Sequence, residues 1–488
     1  MLATHRVKDS SNETIGFIAE DRFYTIHNIV ENIDYFDNLR LLKNNIIKSK
    51  IKLPEIQYRE LNKLIYTKLK RDNPFNRDVQ QRLMDWKNDP NHKVLQVEGA
   101  RQVGKTTEIK KFAYKNYEYI IYVNLANDEF NFAEVVTKQG SDPLGMEIYC
   151  RKASLPSFKN DKRTILIIDE IQIDSKVYNS IRTLYNNLKC DILVTGSYLG
   201  QILKEEYFHP MGTISYTTMF PLSFKEFCRA FKKEKKLLEL DIYKDKYDDE
   251  LGKLYEIYRK IGGYPDVVTE FIKTKSIDNC NDVIQKLLTT FEIESRGLTE
   301  VIPLYDIFNC ILTNNFSNKS ISNGIQWLIY SGIIGEMSLY LETGIGHLRR
   351  IYFLDCGLAN YLAKQVNINE STREGILTET FAFSELYRLH KERYSKSKVL
   401  GRTPGFGIYN NYELDFIILE KVKDSNGDSH GRKVGIEVKT TKGDPKSLKV
   451  FLNKGLIERG ILAKKSGGGH NDSFDTIPIY AIGNFPYN

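Results

Sequence analysis

The apolar and polar positions of the chain fall into a few clear periods. Thr14 to Ile18 and Phe23 to Ile26 alternate as short strands about a polar turn. From Ile56 to Lys70 the period is helical, with Leu61, Leu64, Ile65 and Leu69 at three- and four-residue spacing. Asn73-Pro74 breaks that pattern, and Val79 to Trp86 reads as a helix leading into the buried strand Val94-Leu95-Gln96-Val97. Continuous apolar runs recur at Tyr119 to Leu125, Thr164 to Ile168 and Asp191 to Val194, as in a parallel sheet covered on both faces. Ser223, with Glu226 three residues on, predicts a capping box opening a helical region. Lys232 to Glu250 is a mixed charge run, a solvated helix face or loop, and Gly262-Gly263-Tyr264-Pro265 is a turn between helices. Residues 300 to 370 suggest short helices, Ser320 to Leu328 among them, and a hairpin that includes Tyr352-Phe353-Leu354. This fits either a winged-helix module or a packing spacer.

One stretch changes the picture. Gly99-Ala100-Arg101-Gln102-Val103-Gly104-Lys105-Thr106 fits the pattern G-x-x-x-x-G-K-[ST] at every fixed position, between a strand and a helix that has Ile109, Phe112 and Ala113 on one face. Such a loop turns successive N–H groups toward phosphate oxygens, and the helix N-terminus adds partial positive charge. Lys105 would reach the β- and γ-phosphates of ATP and the Thr106 hydroxyl would ligate Mg²⁺. Downstream, the run Ile165-Leu166-Ile167-Ile168 ends in Asp169-Glu170, at the strand end where open α/β sheets hold ligands. Asp169 would hold Mg²⁺ through water and Glu170 would polarise the attacking water. The tip of the next strand, Thr195 or Ser197, would lie near the γ-phosphate if that strand is inserted beside the first.

Composition narrows the class. At 488 residues the chain is too long for one ordinary core, and 41% hydrophobic with 27% charged residues suits globular domains rather than disorder. A net charge of +7 permits a DNA or RNA partner without demanding one. Six cysteines stand far apart without a C-x-x-C pair, which implies buried thiols, a reducing, cytoplasmic setting and no zinc. No run of eighteen apolar residues occurs, so no membrane partner is expected.

A second group of charged residues sits near the end. Leu377 to Arg388 is an amphipathic helix carrying Glu379. Tyr412 to Leu419 alternates as a half-buried strand, Asp424 to Gly431 is turn-rich, and Val434 to Lys439 is a second strand. A hairpin symmetric about Gly427 would set Asp415 opposite Lys439 and Glu437 opposite Ile417, with all four on one face. Asp415 and Glu437 as diagonal neighbours could share one Mg²⁺, with Lys439 orienting a water for phosphodiester hydrolysis. The same residues also fit a ladder of ion pairs on an exposed sheet face.

In sum, from about residue 76 onward the chain resembles bacterial and archaeal AAA-like ATPases that carry a C-terminal restriction-endonuclease-like, PD-(D/E)XK domain of unknown function. The matching segments are Gly99 to Thr107, Ile168-Asp169-Glu170, Thr195-Gly196-Ser197, Pro221-Leu222-Ser223-Phe224, Gly262 to Pro265, Asp355 with Gly357-Leu358, Glu379, Leu414-Asp415-Phe416 and Ile436 to Lys439. The resemblance implies an α/β fold: a prefix (1–75), a P-loop NTPase parallel sheet (76–220), a helical lid (221–300), a winged-helix-like segment (301–370) and the nuclease-like domain (371–488). It implies that Gly99, Ala100, Arg101, Gln102, Val103, Gly104, Lys105, Thr106, Thr107, Asp169 and Thr195 bind ATP. Thr106, Asp169, Glu379, Asp415 and Glu437 become metal ligands, and Glu170, Lys105 and Lys439 catalytic groups. Oligomerisation is left open. Gly212-Thr213 departs from the family's Gly-Arg, so fast hydrolysis would need another arginine, with Arg101 and Arg229 as candidates. The expected function is an ATPase whose nucleotide state controls a nucleic-acid-directed domain; the alternative is a binding switch with an inactive nuclease-like domain.

Overall fold

In the computed structural model the described residues are the backbone at 5–8, 14–19 and 22–25 and, from 55 to 484, all but short stretches, the longest being 197–205, 296–303, 314–320 and 394–402. The chain divides into two units, Met1–Glu98 with Lys105–Tyr216, and Gly99–Gly104 with Thr217–Asn488.

In the first unit, β1 (His5–Lys8), β2 (Thr14–Ala19) and β3 (Arg22–Thr25) form an antiparallel sheet in that order. The helical period that follows is α1 (Glu55–Asp72), which buries Ile65 and Leu69, and α2 (Val79–Asn88) buries Val79, Leu83 and Trp86. The Asn62 amide of α1 donates to the carbonyls of Tyr117 (3.2 Å) and Glu118 (3.0 Å), fastening this helix to the chain just before the second sheet strand.

The main sheet of this unit is built from β4 (Val94–Glu98), α3 (Lys105–Asn116), β5 (Tyr119–Asn124), α4 (Pro143–Lys152), β6 (Thr164–Asp169), α5 (Ile181–Asn187), β7 (Asp191–Thr195) and β8 (Ile214–Thr218). The strand order is β5-β6-β7-β4-β8, with the first three pairings parallel. The continuous apolar runs have their expected cause: β6 and β7 are buried at every position. One core cluster joins Ile121 and Val123 of β5, Leu166 and Ile168 of β6, and Ile192 and Val194 of β7 to Met146, Tyr149, Tyr178, Ile181 and Leu184 from the covering helices. β7 lies between β4 and β6, the insertion that the reading of Thr195 required. β8 is a strand the hydrophobic pattern did not announce.

The second unit contains α6 (Phe224–Ala230), α7 (Asp249–Ile261), α8 (Pro265–Thr274), α9 (Ile277–Ser295), α10 (Leu304–Thr313) and α11 (Ile321–Tyr330). Next come the hairpin β9 (Ile334–Leu341) and β10 (Gly344–Phe353), then α12 (Cys356–Gln365) and α13 (Glu370–Arg393). β11 (Gly405–Tyr409), β12 (Tyr412–Lys423), β13 (Ser429–Lys439), α14 (Lys446–Asn453), β14 (Arg459–Lys464), β15 (Gly469–His470) and β16 (Asp475–Pro478) complete it. All eight strands share one mixed sheet, ordered β10-β9-β11-β12-β13-β14-β16-β15. The helices and hairpin expected between 300 and 370 are present, and the hairpin shares its sheet with the last part of the chain, β9 running parallel to β11. Five of the six cysteines are buried and Cys310 is half-buried.

Three short motifs far apart in sequence meet in this unit. Ser223 Oγ accepts the Glu226 amide (3.1 Å) and Glu226 Oε2 accepts the Ser223 amide (2.9 Å), which is the predicted capping box. The Leu222 amide donates to the Gly263 carbonyl (2.7 Å), and Tyr258 Oη donates to the Leu222 carbonyl (2.7 Å). Asp355 caps α12 through the Leu358 amide (3.0 Å) and accepts the Gly263 amide (2.7 Å) with its other oxygen. A Cβ at Gly263 would overlap the Leu222 carbonyl, and one at Gly357 the Ile261 carbonyl. Burial lifts the Asp355 carboxyl to about 6 despite its amide donors.

Ser223→Ala removes one half of the capping box and is expected to cost about 1 kcal/mol. Gly263→Ala, which forces two backbones apart, should lower the melting temperature of the full chain by clearly more; equal melting of the two variants would contradict this close contact.

Candidate functional site

Between β4 and α3 the backbone of Gly99–Gly104 coils tightly. φ is positive at Gly99 (140°), Gln102 (61°) and Gly104 (93°). Gly99 has a second constraint, since a Cβ there would overlap the Met219 carbonyl oxygen. Ala100 and Val103 are buried while Arg101 and Gln102 are exposed, so the loop is anchored at alternate points. Lys105 is the first residue of α3, and its side chain is buried; Thr106 and Thr107 follow in the same helical turn. A loop of amides running into a helix N-terminus is a concavity suited to an anion.

At the carboxyl end of β6, Asp169 is the meeting point. Thr106 Oγ1 (2.9 Å) and Tyr122 Oη (2.7 Å) both donate to its Oδ2, and the Glu170 amide donates to Oδ1 (2.9 Å). Burial, then the Asp169 charge, pushes the Tyr122 hydroxyl far above its ordinary pKa, so it stays a donor. Lys110 Nζ lies 3.8 Å from the centre of the Tyr122 ring. Glu170 adopts left-handed backbone angles (φ 55°, ψ 43°), which few non-glycine residues do. Its carboxylate accepts from Gln172 Nε2, and the Gln172 carbonyl in turn accepts from Tyr207 Oη.

The sequence singled out Thr106, Asp169 and Glu170, and the structure brings them together; it did not single out Tyr122 or Gln172. The signal for Tyr122 was its place two residues before the end of β5, in register with Ile167. Thr195 is at the carboxyl end of β7, but its Oγ1 donates to the Val97 carbonyl (2.9 Å) in a buried cross-strand bond. Ser197 lies outside the described residues. Thr213 is buried, its carbonyl accepting the Val94 amide (3.1 Å). Arg229 is held by Glu234 (Nε to Oε2, 2.7 Å), whereas Arg101 is exposed on the loop.

The C-terminal carboxylates form a second group. The expected hairpin register is corrected: Phe416 pairs with Ile436 and Ile417 with Gly435, a symmetry about position 426. The next step of this ladder sets Asp415 across from Glu437 rather than from Lys439. A slide of two residues keeps every side chain on its face, so periodicity could not choose between the registers. Lys439 Nζ is 2.7 Å from Glu437 Oε1, and the Leu448 amide at the start of α14 donates to Glu437 Oε2 (2.9 Å). The Val438 amide donates to Asp415 Oδ2 (2.7 Å), and Tyr352 Oη donates to Glu379 Oε2 (3.1 Å). Burial, then the Glu379 charge, lifts Asp415 to about 7, and burial also raises Glu379. Lys439 is raised, burial being outweighed by Glu437 and the other carboxylates. Among the described residues no three His, Cys, Asp or Glu side chains are arranged to hold a metal ion. Among them, too, no helix is long and apolar enough to cross a membrane.

Residues 91–228 match the model of a family described as an AAA domain. An uncharacterised protein of Haemophilus influenzae is 25% identical over 371 residues, covering 69% of this chain and 82% of that protein. One from Methanocaldococcus jannaschii is 26% identical over 380 residues, 72% of this chain and 76% of its own length. Among solved structures, a Walker-type ATPase of Pyrococcus abyssi aligns over 59% of this chain and 95% of its own, at 14% identity and a TM-score of 0.37.

The Asp415 shift has a sign. Unfolded, this carboxyl loses its proton near pH 4; folded, it does so at about 7. Between these values the folded state holds more protons, so its contribution to stability falls as pH rises through that window. Asp415→Asn should therefore stabilise the chain more at pH 8 than at pH 5, by about 3 kcal/mol. Melting curves at the two pH values check this, and a variant destabilised equally at both would refute it.

Proposed function

We propose that the chain binds ATP at Gly99–Thr107 and hydrolyses it, and that its nucleotide state controls a C-terminal domain directed at DNA or RNA. The observation that carries the ATPase half is the 2.9 Å bond between Thr106 Oγ1 and Asp169 Oδ2, which sets two hard oxygen donors side by side next to a loop of amides. This donor pair fits Mg²⁺, which Thr106 and Asp169 would hold and which, when bound, would offset charge on the phosphate oxygens. The loop amides and Lys105 bind the phosphates. Glu170 takes the proton of the attacking water, and Gln172 fixes the direction of its carboxylate. Tyr122 keeps Asp169 turned toward Thr106.

In the C-terminal part, Asp415, Glu437 and Lys439 of the sheet and Glu379 of α13 are the groups available for phosphodiester chemistry. The support is electrostatic: the carboxyls of Asp415 and Glu379 are held close enough for one to raise the other. A second reading, a binding switch without cutting activity, is favoured by a different observation. Both Glu437 oxygens are already engaged, by Lys439 and by the Leu448 amide, and the described residues hold no three-ligand metal cluster.

Lys105→Ala is expected to weaken ATP binding at least about 100-fold, while Glu170→Gln keeps the affinity and slows hydrolysis by about 100-fold or more. Unaltered ATP affinity in Lys105→Ala would overturn the placement of the site. Incubation of the full chain with labelled DNA and RNA in Mg²⁺ or Mn²⁺ separates the two readings. Cutting that is lost in Asp415→Asn supports the first; intact substrates in every metal support the switch.

A further inference from the structure

The main sheet of the first unit has a second edge, formed by the amino ends of its strands. A cleft of about 610 Å³ opens there, lined by His92 and Lys93 before β4, Lys162 before β6, Tyr185 and Asn186 of α5, and Lys189 before β7. β4, β6 and β7 are five or six residues long, and at about 3.3 Å per residue the cleft lies roughly 15–20 Å from the strand ends that bear Asp169 and the loop. It is a separate site.

The cleft has a built floor. Asp191 is 2% exposed; Tyr117 Oη (2.6 Å) and Lys162 Nζ (2.7 Å) donate to it, and His92 Nε2 lies 2.9 Å from it. Burial alone would raise this carboxyl, yet those partners hold it at about 2. His92 Nδ1 is fixed in turn by the Asp89 carbonyl (2.7 Å). The buried carboxylate thereby locks His92 and Lys162 into the wall. Lys93 and Lys189 line the same cleft and form no ion pair among the described residues. No Asp or Glu lines it, so the lysine charges outnumber the one carboxylate beneath them. The Tyr185 ring is 37% exposed beside them, and Leu188 and Ile192 supply apolar wall.

Cations set around an exposed ring and apolar wall match the two ends of one kind of ligand, a phosphate joined to a planar base. We infer that this cleft binds a nucleotide unit, free or within a single strand, with Lys93 and Lys189 on the phosphate and Tyr185 against the base. An acidic peptide would use the lysines and leave the ring without a role.

The test uses the full chain with Lys105→Ala, so that the phosphate loop does not contribute. A short end-labelled oligothymidylate is titrated by fluorescence anisotropy over a range of salt concentrations, and dTMP is used as competitor. Lys93→Glu with Lys189→Glu should weaken binding about tenfold or more and make the salt dependence shallower by about two phosphate contacts. Tyr185→Ala should weaken binding about tenfold without changing the salt slope. Lys93→Gln with Lys189→Gln should act in the same direction and more weakly. Displacement by dTMP identifies a free nucleotide as sufficient; its failure, with the oligonucleotide still lost in the variants, identifies the strand. Wild-type affinity and slope in the charge-reversed variant, at an unchanged melting temperature, would overturn the inference, as would a chain that binds neither probe.

Discussion

The Asp169 carboxylate ties together three pieces of chain that reach it from different directions. Thr106 comes from the first turn of α3, Tyr122 from β5, and the Glu170 amide from the residue that follows it. A buried carboxylate without donors would cost several kcal/mol. With three donors it is satisfied, and it fixes the start of α3 relative to β5 and β6. The chain just after the loop is held at Thr106, while the glycines allow the backbone to curl. The positive φ at Glu170 belongs to the same arrangement: the chain leaves β6 through a conformation disfavoured for glutamate.

The sequence was most readable where burial acts on both faces. β6 and β7 were visible as apolar runs because a strand inside a parallel sheet has no solvent side, whereas the equally apolar β5 is an edge strand whose positions alternate between buried and half-buried. β8 was not visible. Ile214–Thr218 is only partly buried, and its period is short and mixed. β14 had no early signal either, though Arg459–Lys464 pairs in parallel with β13 along Val434–Lys439. The β12–β13 register was one of two that satisfy the same alternation; what distinguishes them is the turn length.

The weak motifs of the second unit show a different kind of legibility. Pro221–Phe224, Gly262–Pro265 and Asp355–Leu358 each look like local turn or cap signals. Spatially they are one object, in which Asp355 and the Leu222–Gly263 pairing hold the ends of α6, α7 and α12 together. Arg388 and Glu385 of α13 join it through the Pro221 carbonyl (2.9 Å) and the Phe224 amide (3.1 Å). Glycine is needed at 263 and 357 because two main chains touch there. Spacing in sequence carries no trace of such contacts.

The mixed sheet also bears on how the chain is made. β9 is complete at Leu341, but its parallel partner β11 begins at Gly405, with α12 and α13 in between. On a ribosome adding about 5–20 residues per second, that edge waits for seconds with its backbone groups unpaired. Nascent chains emerging side by side on one messenger would present this edge to each other during the delay. The helices α12 and α13 are synthesised during that delay, so they can form before β9 gains its partner.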